Sequence, residues 1–357
     1  MPEPQVTVLI DTYNHGYFIE EAVDSVLSQD YPQEKIEILV VDDGSTDDTA
    51  ERVKKYRTRV QYLYKPNGGQ ASAFNFGFAR ARGKIIALLD GDDTWLPDKL
   101  KRTMEEFEQH PEVGMVYHPY LEVDMRTNER RKSHFQPVSG SFFESRRDFF
   151  SFAPPTTTCA SFRRSSLARI MPVPESLRIQ ADTYIGSLIA FVAPIIAVPE
   201  CLTTYRVHDG NLYHADGPQE IEILNKRMVM TERVIQSIHR WLRQHGYGRD
   251  VIFQSFVGRI TLWHERNKFR ITPPGRLRFF WFLLKENYVS SPIQSWRYTS
   301  FRYLAAFLGL FFGSRNADEA EKRQDRTLES AKRLLSRVFG VRPDPGSSSK
   351  QGHARSG

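Results

Sequence analysis

Three clusters of acidic or polar side chains each come directly after a run of apolar residues. They occupy positions 11–14, 42–44 and 90–93. In the third cluster Asp90, Asp92 and Asp93 could hold Mg²⁺ or Mn²⁺, since these ions prefer oxygen ligands and share them with substrate phosphates. Gly91 allows the backbone to bend so that the carboxylates converge. The bound ion would neutralise a departing diphosphate, although an Asp-Gly turn with unliganded acids fits this stretch equally well.

Two further segments could contact a nucleotide. Asp42 and Asp43 precede a stretch rich in Ser and Thr, where acids usually cap a helix, but a carboxylate here could also accept the N3–H of a uracil ring. Gly68 and Gly69, preceded by Asn67, open a predicted helix whose free N–H groups would attract phosphate. The segment matches neither the Walker pattern nor the dinucleotide-binding glycine pattern, which argues against both of those nucleotide-binding types.

The elements that position these clusters alternate along the first part of the chain. Apolar runs of buried-strand type alternate with segments whose apolar residues recur at helical spacing. The predicted strands are residues 6–10, 36–41, 60–64 and 85–89. This pattern predicts an α/β fold with a Rossmann-like, mostly parallel sheet flanked by helices. Ligands bind at the carboxyl ends of the strands in such sheets, so we expect all three clusters at one edge.

The composition narrows the class of protein. The chain has 357 residues and a formal net charge of +6, which suits a phosphate-bearing partner or an anionic membrane surface. Two cysteines without metal-ligand spacing argue against a disulfide framework and structural zinc, and they indicate a cytoplasmic protein. The amino terminus has no signal-peptide pattern, and the longest apolar run, residues 303–313, is shorter than the roughly 20 residues of a spanning helix.

The strand signals end near residue 217, which predicts a division of the chain. We expect a catalytic domain over residues 1–217, a helical C-terminal region over 218–342 and a disordered tail over 343–357. Within the helical region, residues 276–285 and 296–303 mix aromatic side chains with arginine. Such segments can lie in a bilayer interface, or they can form a helical cap packed on the catalytic domain, and both alternatives stay open.

Four motifs together resemble the large inverting family-2 glycosyltransferases. They are VTVLIDTYN from Val6, VVDDGSTDDT from Val40, NGGQASAFNFGF from Asn67 and ALLDGDDTWLPDKL from Ala87. Their order and spacing match over roughly the first hundred residues, which is far more specific than any one motif. The resemblance continues more weakly to about residue 212. It implies a GT-A fold, with a nucleotide-binding half and an acceptor-binding half in one domain.

The resemblance implies roles for the residues of the donor half. Asp43 would bind the uracil ring and Asp42 would support it. Asp92 and Asp93 would meet the ribose, the diphosphate and the metal, while Asp90 takes the first place of the DxD pattern. The other residues expected in the donor pocket are Thr12, Tyr13 (against the base), Asn67, Gly68 and Gly69.

One residue departs from the family pattern. Asp11 stands where the family usually has proline, directly before Thr12, Tyr13 and Asn14. An extra carboxylate near the nucleobase could bind an exocyclic amine, which leaves the identity of the base open. It could also cap the helix that follows, and this is the role that we expect for Asp11.

The acceptor half contains the candidate catalytic base. In inverting transfer the acceptor hydroxyl loses its proton as it attacks the anomeric carbon, and a nearby carboxylate can accept that proton. The segment around Asp182 is similar to the base segment of the family, although Ala181 replaces the usual Glu and Asp182 could instead only cap the next helix. The later YRVHDGN segment implies that Arg206 offsets phosphate charge and that His208 reaches the metal or the diphosphate. Residues 156–161 match the strand that lines the acceptor side.

These features predict a hexosyl- or N-acetylhexosaminyltransferase that uses a UDP-sugar and Mg²⁺ or Mn²⁺. The acceptor would be a glycan or a lipid-linked hydroxyl compound in bacterial polysaccharide or glycolipid synthesis, at the inner face of the membrane, with no nucleic-acid partner. A sugar-nucleotide nucleotidyltransferase is a first alternative, but residues 11–18 lack the Gly-rich, Arg-containing loop that such enzymes carry after the first strand. A non-catalytic sugar-nucleotide-binding protein is a second, and the intact acidic clusters argue against it.

Overall fold

Strands and helices alternate through the first hundred or so residues, as predicted. The structure is a computed structural model, and it describes residues 4–135, 137–142, 152–211, 220–247, 262, 265 and 276–290. The first compact unit is Met1–Val257. Its β-strands are β1 (Val6–Thr12), β2 (Ile36–Asp42), β3 (Gln61–Tyr64), β4 (Ile85–Asp90), β5 (Thr94–Trp95), β6 (Met115–Tyr117), β7 (Leu121–Asp124), β8 (Arg130–Lys132), β9 (Ala160–Arg163), β10 (Ile195–Ala197) and β11 (Thr203–Val207). Its α-helices are α1 (Gly16–Leu27), α2 (Thr49–Val53), α3 (Gln70–Phe78), α4 (Lys99–Gln109), α5 (Arg164–Leu167), α6 (Ala181–Val192) and α7 (Glu220–Gln244).

Within the described residues, the central sheet has seven strands in the order β10-β6-β9-β4-β1-β2-β3. Strand β1 pairs in parallel with β2 and β4, and β2 pairs in parallel with β3. The carboxyl ends of these four strands therefore lie at one edge of the sheet. Strand β9 runs antiparallel between β4 and β6, so the sheet is mixed but mostly parallel. The predicted α/β class is confirmed.

Helices cover both faces of this sheet, because successive side chains of a strand point to opposite sides. Val8 and Ile10 of β1 join the core formed with α1 and α4. Leu9, on the opposite face, lies against α3, where a Cβ added to Gly77 would come within 2.5 Å of the Leu9 side chain. Strands buried on both faces are mostly apolar, and the buried polar side chains of Thr7 in β1 and Glu37 in β2 are hydrogen-bonded to each other at 2.6 Å.

A second sheet, of four strands among the described residues, follows the third acidic cluster in the order β5-β11-β7-β8. Strands β7 and β8 form an antiparallel hairpin. Strand β11 pairs with β5, the short strand directly after Asp93. This pairing brings Arg206 of β11 back to the acidic cluster.

Helix α7 packs against α6 and belongs to the first unit, although it follows residue 217 in the chain. The division of the chain at residue 217 stays a prediction. The second unit, Gly258–Gly357, contains helix α8 (Arg276–Ser290), as the helical expectation for this region requires. Across the described part of the chain, no helix is both long enough and apolar enough to cross a membrane. The aromatic and basic segment 296–303 and the tail 343–357 lie outside the described residues.

Candidate active site

The ends of β1 and β4 bring two carboxylates together. Asp11 is in register with Asp90 across the two parallel strands. Past the strand end, the carbonyl of Asp11 accepts a hydrogen bond from the N–H of Gly91 at 2.9 Å. A Cβ on Gly91 would lie 2.7 Å from the hydroxyl of Thr12, so this close approach requires glycine. The turn that begins here carries Asp92 towards the edge of the sheet.

Three carboxylates on this turn form a candidate metal site. Asp90, Asp92 and Asp93 each offer one oxygen, and these atoms lie within 4.8 Å of one another. The hydroxyl of Thr158 donates to Asp93 at 2.6 Å and accepts the N–H of Asp90 at 3.2 Å. Burial and then the repulsion of neighbouring carboxylates raise the pKa of Asp90 and of Asp93 well above the ordinary value. A cation bound here would relieve that repulsion.

Asp92 differs from its two neighbours because two histidines lie beside it. The Nε2 atom of His208 is 3.2 Å from its carboxylate, and Nε2 of His15 is 3.7 Å from the same oxygen. Asn211 also donates to that oxygen at 3.3 Å. Burial opposes ionisation, yet the charge of His15 and the hydrogen bond of His208 outweigh it and lower the pKa of Asp92. The structure therefore brings His208 to the cluster, and it adds His15, which the sequence did not identify.

Arg206 of β11 stabilises the turn that carries Asp92 and Asp93. Its N–H donates to the carboxylate of Asp93 at 2.9 Å, and its guanidinium donates to the carbonyl of Asp92 and pairs with Glu21. The guanidinium also lies over the ring of Phe18, 4.8 Å from its centre. These contacts are internal to the protein and Arg206 is buried. A direct contact of Arg206 with a donor phosphate stays a prediction.

Asp43, at the end of β2, is held by the loop that follows β3. It accepts the N–H groups of Gly68 at 2.9 Å and Gly69 at 2.6 Å, and it pairs with the ammonium group of the buried Lys65. Asn67 donates from its side chain to the carbonyl of Asp43 at 2.9 Å. The glycine amides that were expected to attract phosphate are therefore bound to Asp43, and the sequence did not identify Lys65 as its partner.

Asp42 is fully buried and has partners on both oxygens. One oxygen accepts the N–H of Ser45 and the other accepts the hydroxyl of Tyr62, each at 2.6 Å. The loop that it stabilises also holds Asn14, which has a left-handed φ of 57° and accepts the N–H of Thr46 at 2.8 Å. The adjacent Tyr13 is 46% exposed, so its ring is available at the rim of the site.

The expectation that Asp11 caps the next helix is wrong. The N-cap residue of α1 makes no side-chain hydrogen bond to the helix, and the N–H of Gly16 donates to the side chain of Asp47. The side chain of Asp11 belongs to the acidic cluster: burial and the charge of Asp92 raise the pKa of Asp11 to about 8. Among the described residues, one of its carboxylate oxygens is buried without a hydrogen-bond partner.

Asp182 lies in the first turn of α6. Thr157 donates to one of its carboxylate oxygens from both the N–H, at 3.1 Å, and the hydroxyl, at 3.3 Å. The N–H of Thr183 donates to the other oxygen at 2.6 Å. Burial raises the pKa of Asp182, and its charge in turn raises the pKa values of Asp11 and Asp90. The predicted base thus lies beside the acidic cluster.

Two consecutive threonines connect Asp182 to the acidic cluster. Thr157 binds Asp182 and Thr158 binds Asp93, and both belong to the short 3-10 turn Thr157–Cys159 that leads into β9. The sequence placed residues 156–161 beside the site but assigned no contact to them. A run of threonines between a loop and an apolar strand was the available signal, because their hydroxyl groups can bind two carboxylates at once.

Comparison with known proteins agrees with this geometry. The chain matches the model of the family described as Glycosyl transferase family 2 over residues 7–171. An uncharacterized glycosyltransferase of Nostoc sp. is 31% identical over 274 residues, which cover 74% of this chain and 84% of that relative. This similarity confirms the resemblance that the four motifs carry.

Two solved structures show the same fold at low sequence identity. S. aureus TarS 1-349 in complex with UDP-GlcNAc has a TM-score of 0.52 and 19% identity, and the match covers 92% of each chain. The mannosyltransferase PcManGT from Pyrobaculum calidifontis, in complex with GDP-Man and Mn²⁺, has a TM-score of 0.54 and 20% identity over 94% of this chain and 88% of its own. The expected GT-A fold is therefore confirmed, and the chain belongs to glycosyl transferase family 2.

Proposed function

We propose that this glycosyltransferase moves a sugar from a UDP-sugar to an acceptor hydroxyl with inversion at the anomeric carbon. One observation carries the proposal: a half-buried carboxylate, Asp182, lies beside the cluster of Asp90, Asp92 and Asp93, and adjacent threonines hold the two. A proton acceptor next to a cation site is what a single displacement needs. The first would deprotonate the attacking hydroxyl and the second would hold the leaving diphosphate.

The metal would be Mg²⁺ or Mn²⁺, held by Asp90, Asp92, Asp93 and His208. Oxygen atoms within 4.8 Å of one another fit a single hard cation, and the raised pKa values of Asp90 and Asp93 indicate negative charge that the protein itself does not balance. His208 lies within 3.2 Å of Asp92, so its ring could join the same ion or orient that carboxylate. When bound, such an ion neutralises charge on the departing diphosphate.

The donor would lie between the Asp43 loop and the acidic cluster. The exposed ring of Tyr13 would stack on the base, and Asp43 would accept the N3–H of uracil with lone pairs that its bonds to Lys65, Gly68 and Gly69 leave free. Solved GT-A structures bind different bases, since TarS holds UDP-GlcNAc and PcManGT holds GDP-Man. The experiment therefore compares both nucleotides.

Asp182 would take the proton of the acceptor hydroxyl. Thr157 donates to one of its oxygens and Thr183 to the other, each from its N–H and its hydroxyl, and these four hydrogen bonds would orient the carboxylate towards the acceptor. Burial raises the pKa of this carboxyl, which increases its basicity towards a hydroxyl proton. The reaction would be one step, without a covalent sugar–enzyme intermediate.

The test uses the full chain with UDP-Glc, UDP-GlcNAc or GDP-Man, Mn²⁺ and water as the acceptor. We expect release of the nucleoside diphosphate from a UDP-sugar, abolished by EDTA and by Asp182→Asn, and ¹H NMR should show the β-anomer of the freed sugar first. First appearance of the α-anomer would contradict inversion. Release that EDTA leaves unchanged would contradict the metal site, and a preference for GDP-Man would contradict the UDP assignment.

We further propose that the acceptor is a glycan or lipid-linked compound, as in polysaccharide or glycolipid synthesis, at the inner face of a membrane. In the second unit, Leu277 and Trp281 lie one helical turn apart on α8 and are 63% and 62% exposed. Arg278 and Lys285 of the same helix are exposed as well. Exposed apolar and aromatic side chains next to basic ones suit the interface of an anionic bilayer.

Liposome flotation of the full chain tests this membrane contact. We expect binding to vesicles that contain phosphatidylglycerol at low salt, weaker binding to phosphatidylcholine alone, and loss of binding in the double variant Leu277→Ser, Trp281→Ser. The matched control is Val229→Ser, an exposed apolar residue of α7 in the first unit. Equal flotation of the double variant and the wild type would rule out α8 as the membrane contact.

A further inference from the structure

Gln70 connects the donor loop to the helix that carries the candidate base. It is the first residue of α3, directly after the loop that binds Asp43. Its Oε1 atom accepts the N–H of Ala181 at 2.9 Å, and its Nε2 atom donates to the hydroxyl of Thr157 at 3.0 Å. A backbone N–H can only donate, so the contact with Ala181 fixes which end of the amide is the oxygen.

Thr157 lies between Gln70 and Asp182 and is hydrogen-bonded to both. Its hydroxyl oxygen accepts from Gln70, so its single proton points to the carboxylate of Asp182, 3.3 Å away. The N–H of Thr157 donates to the same oxygen at 3.1 Å. The relay from Gln70 through Thr157 therefore fixes the position of one carboxylate oxygen of Asp182, while Thr183 holds the other with its N–H at 2.6 Å and its hydroxyl at 3.4 Å.

Backbone contacts join the same two segments. The N–H of Gln70 donates to the carbonyl of Arg178 at 2.8 Å, and the guanidinium of Arg178 donates to the side chain of Asn67. Gly69 has a φ of +85°, and a Cβ there would come within 2.6 Å of the Arg178 backbone. The loop that would bind the donor thus lies directly on the chain that leads into α6.

We propose that Gln70 is a positioning residue that couples the donor loop to the base, so that proton abstraction by Asp182 depends on it while donor affinity does not. The inference rests on the proposed function, because it takes Asp182 to be the base. It differs from a purely structural role, in which loss of Gln70 would loosen the loop and weaken donor binding.

Two substitutions separate the two hydrogen bonds of Gln70. Gln70→Met has nearly the same length and loses both. Gln70→Glu keeps an oxygen for the N–H of Ala181, but its carboxylate cannot donate to Thr157, whose hydroxyl would then turn towards Glu. In that variant Asp182 loses one hydrogen bond and gains a nearby negative charge, and both changes raise the pKa of a carboxyl group.

The first readout is donor hydrolysis with UDP-GlcNAc and Mn²⁺. We expect kcat to fall by about 10- to 100-fold in both variants, as for a displaced general base, with the donor KM within about twofold of wild type. In Gln70→Glu the acid limb of the kcat–pH profile should move to higher pH. A raised donor KM with wild-type kcat and an unmoved acid limb would indicate a structural role and overturn the proposal.

The second readout needs no turnover. Hydrogen–deuterium exchange of the peptide that contains the Ala181 amide should be faster in Gln70→Met and unchanged in Gln70→Glu, which keeps the acceptor of that N–H. The matched control is Asn75→Met. Asn75 is another amide of α3, and it clamps the backbone of Val173 with two bonds of 2.8 Å.

The control should lower the thermal midpoint while leaving both kcat and exchange at Ala181 unchanged. An equal loss of kcat in Asn75→Met would overturn the proposal, because any loosening of α3 would then suffice. If the wild type hydrolyses no donor, this result contradicts the proposed function but not the coupling through Gln70. Exchange at Ala181 then still decides the coupling, and an unchanged rate in Gln70→Met would refute it.

Discussion

Two acidic clusters lie at the ends of β2 and β4, the strands on either side of β1, and their charges have different surroundings. At the end of β2, Asp42 and Asp43 accept hydrogen bonds from backbone N–H groups and from Tyr62, and Asp43 pairs with Lys65. At the end of β4, the half-buried Asp90 and the buried Asp93 lie next to further carboxylates, and their pKa values are raised. Hydrogen bonds and Lys65 balance the first cluster from within the protein, whereas the two histidines beside Asp92 offset only part of the negative charge of the second.

This difference separates acids that are held by partners within the protein from acids that repel one another. Buried carboxylates whose lone pairs and charge are satisfied by the protein stabilise the loops around them. Buried carboxylates that repel one another keep their charge available for a cation or a proton. We therefore expect substitutions at the end of β2 to act on stability and, at Asp43, also on donor binding, whereas substitutions at the end of β4 and at Asp182 should act mainly on turnover.

Asp92→Asn should have the largest effect. We expect nucleoside-diphosphate release to fall by about 10⁴-fold, because the metal loses its ionised ligand and the leaving group loses its stabilisation. The free energy of unfolding should change little. Steady-state release assays and urea denaturation measure the two quantities, and an active Asp92→Asn variant would remove the contrast between the clusters.

Asp182→Asn should come next. An amide cannot accept the proton of the acceptor, so kcat should fall by about 10³-fold. Binding of UDP with Mn²⁺ should remain, since the acidic cluster of β4 is intact. Calorimetric titration of UDP, next to the release assay, distinguishes loss of the base from loss of the donor site. A variant that keeps kcat but binds UDP poorly would contradict the assignment.

Asp43→Asn tests the cluster of Asp42 and Asp43 at the end of β2. The buried ammonium of Lys65 would lose its counter-charge, so the free energy of unfolding should fall by about 3 kcal/mol. Urea denaturation measures this loss, and the double variant Asp43→Asn, Lys65→Met should recover part of it. Unchanged stability of the single variant would show that the charge of Asp43 is not needed by the fold.

The stability of the protein should depend on pH with an unusual sign because of Asp11, which lies on β1 beside the acidic cluster of β4. The pKa of Asp11 is about 8 in the folded protein and near its ordinary value of 3.8 when unfolded, so the folded state holds a proton that the unfolded state has lost. Stability should therefore fall as the pH rises from about 4 to 8. We expect Asp11→Asn to be more stable than wild type by about 2 kcal/mol at pH 8 and to show no gain at pH 4. Thermal melts over this range, without divalent ions, check it, and parallel curves for the two proteins would contradict it.

Tyr62→Phe should have the smallest effect. It removes one hydrogen bond to the buried Asp42 and should cost about 1 kcal/mol of stability. Turnover of the folded enzyme should equal that of wild type, because the loop keeps its bond from Ser45 to Asp42. A clear loss of kcat in this variant would mean that the balanced cluster also takes part in the reaction.

The sequence was sufficient for the sheet and for the convergence of the acidic clusters. The strands β1, β2 and β4 are mostly apolar because they are buried on both faces, and parallel pairing then brings Asp11 and Asp90 into register. Both steps depend on local pattern and on rules of sheet topology. Neither requires knowledge of a distant contact.

The partners of each acid could not be predicted in the same way. His15 meets Asp92, Lys65 meets Asp43 and Gln70 meets Thr157 through contacts between segments far apart in the chain. Asp11 shows the consequence most clearly. An acid before a helix favours a cap by local pattern, but the strand register directs this side chain into the acidic cluster, and Asp47 binds the helix N–H in its place.

The most direct test of the metal-dependent donor site is calorimetric titration of UDP into the wild type and Asp92→Asn, with and without Mn²⁺. We predict that the wild type binds UDP tightly only when Mn²⁺ is present, and that Asp92→Asn loses this dependence on the metal together with most of the affinity. Equal binding of UDP by the two proteins, or wild-type binding that Mn²⁺ does not change, would contradict the assignment of Asp90, Asp92 and Asp93 as the metal site.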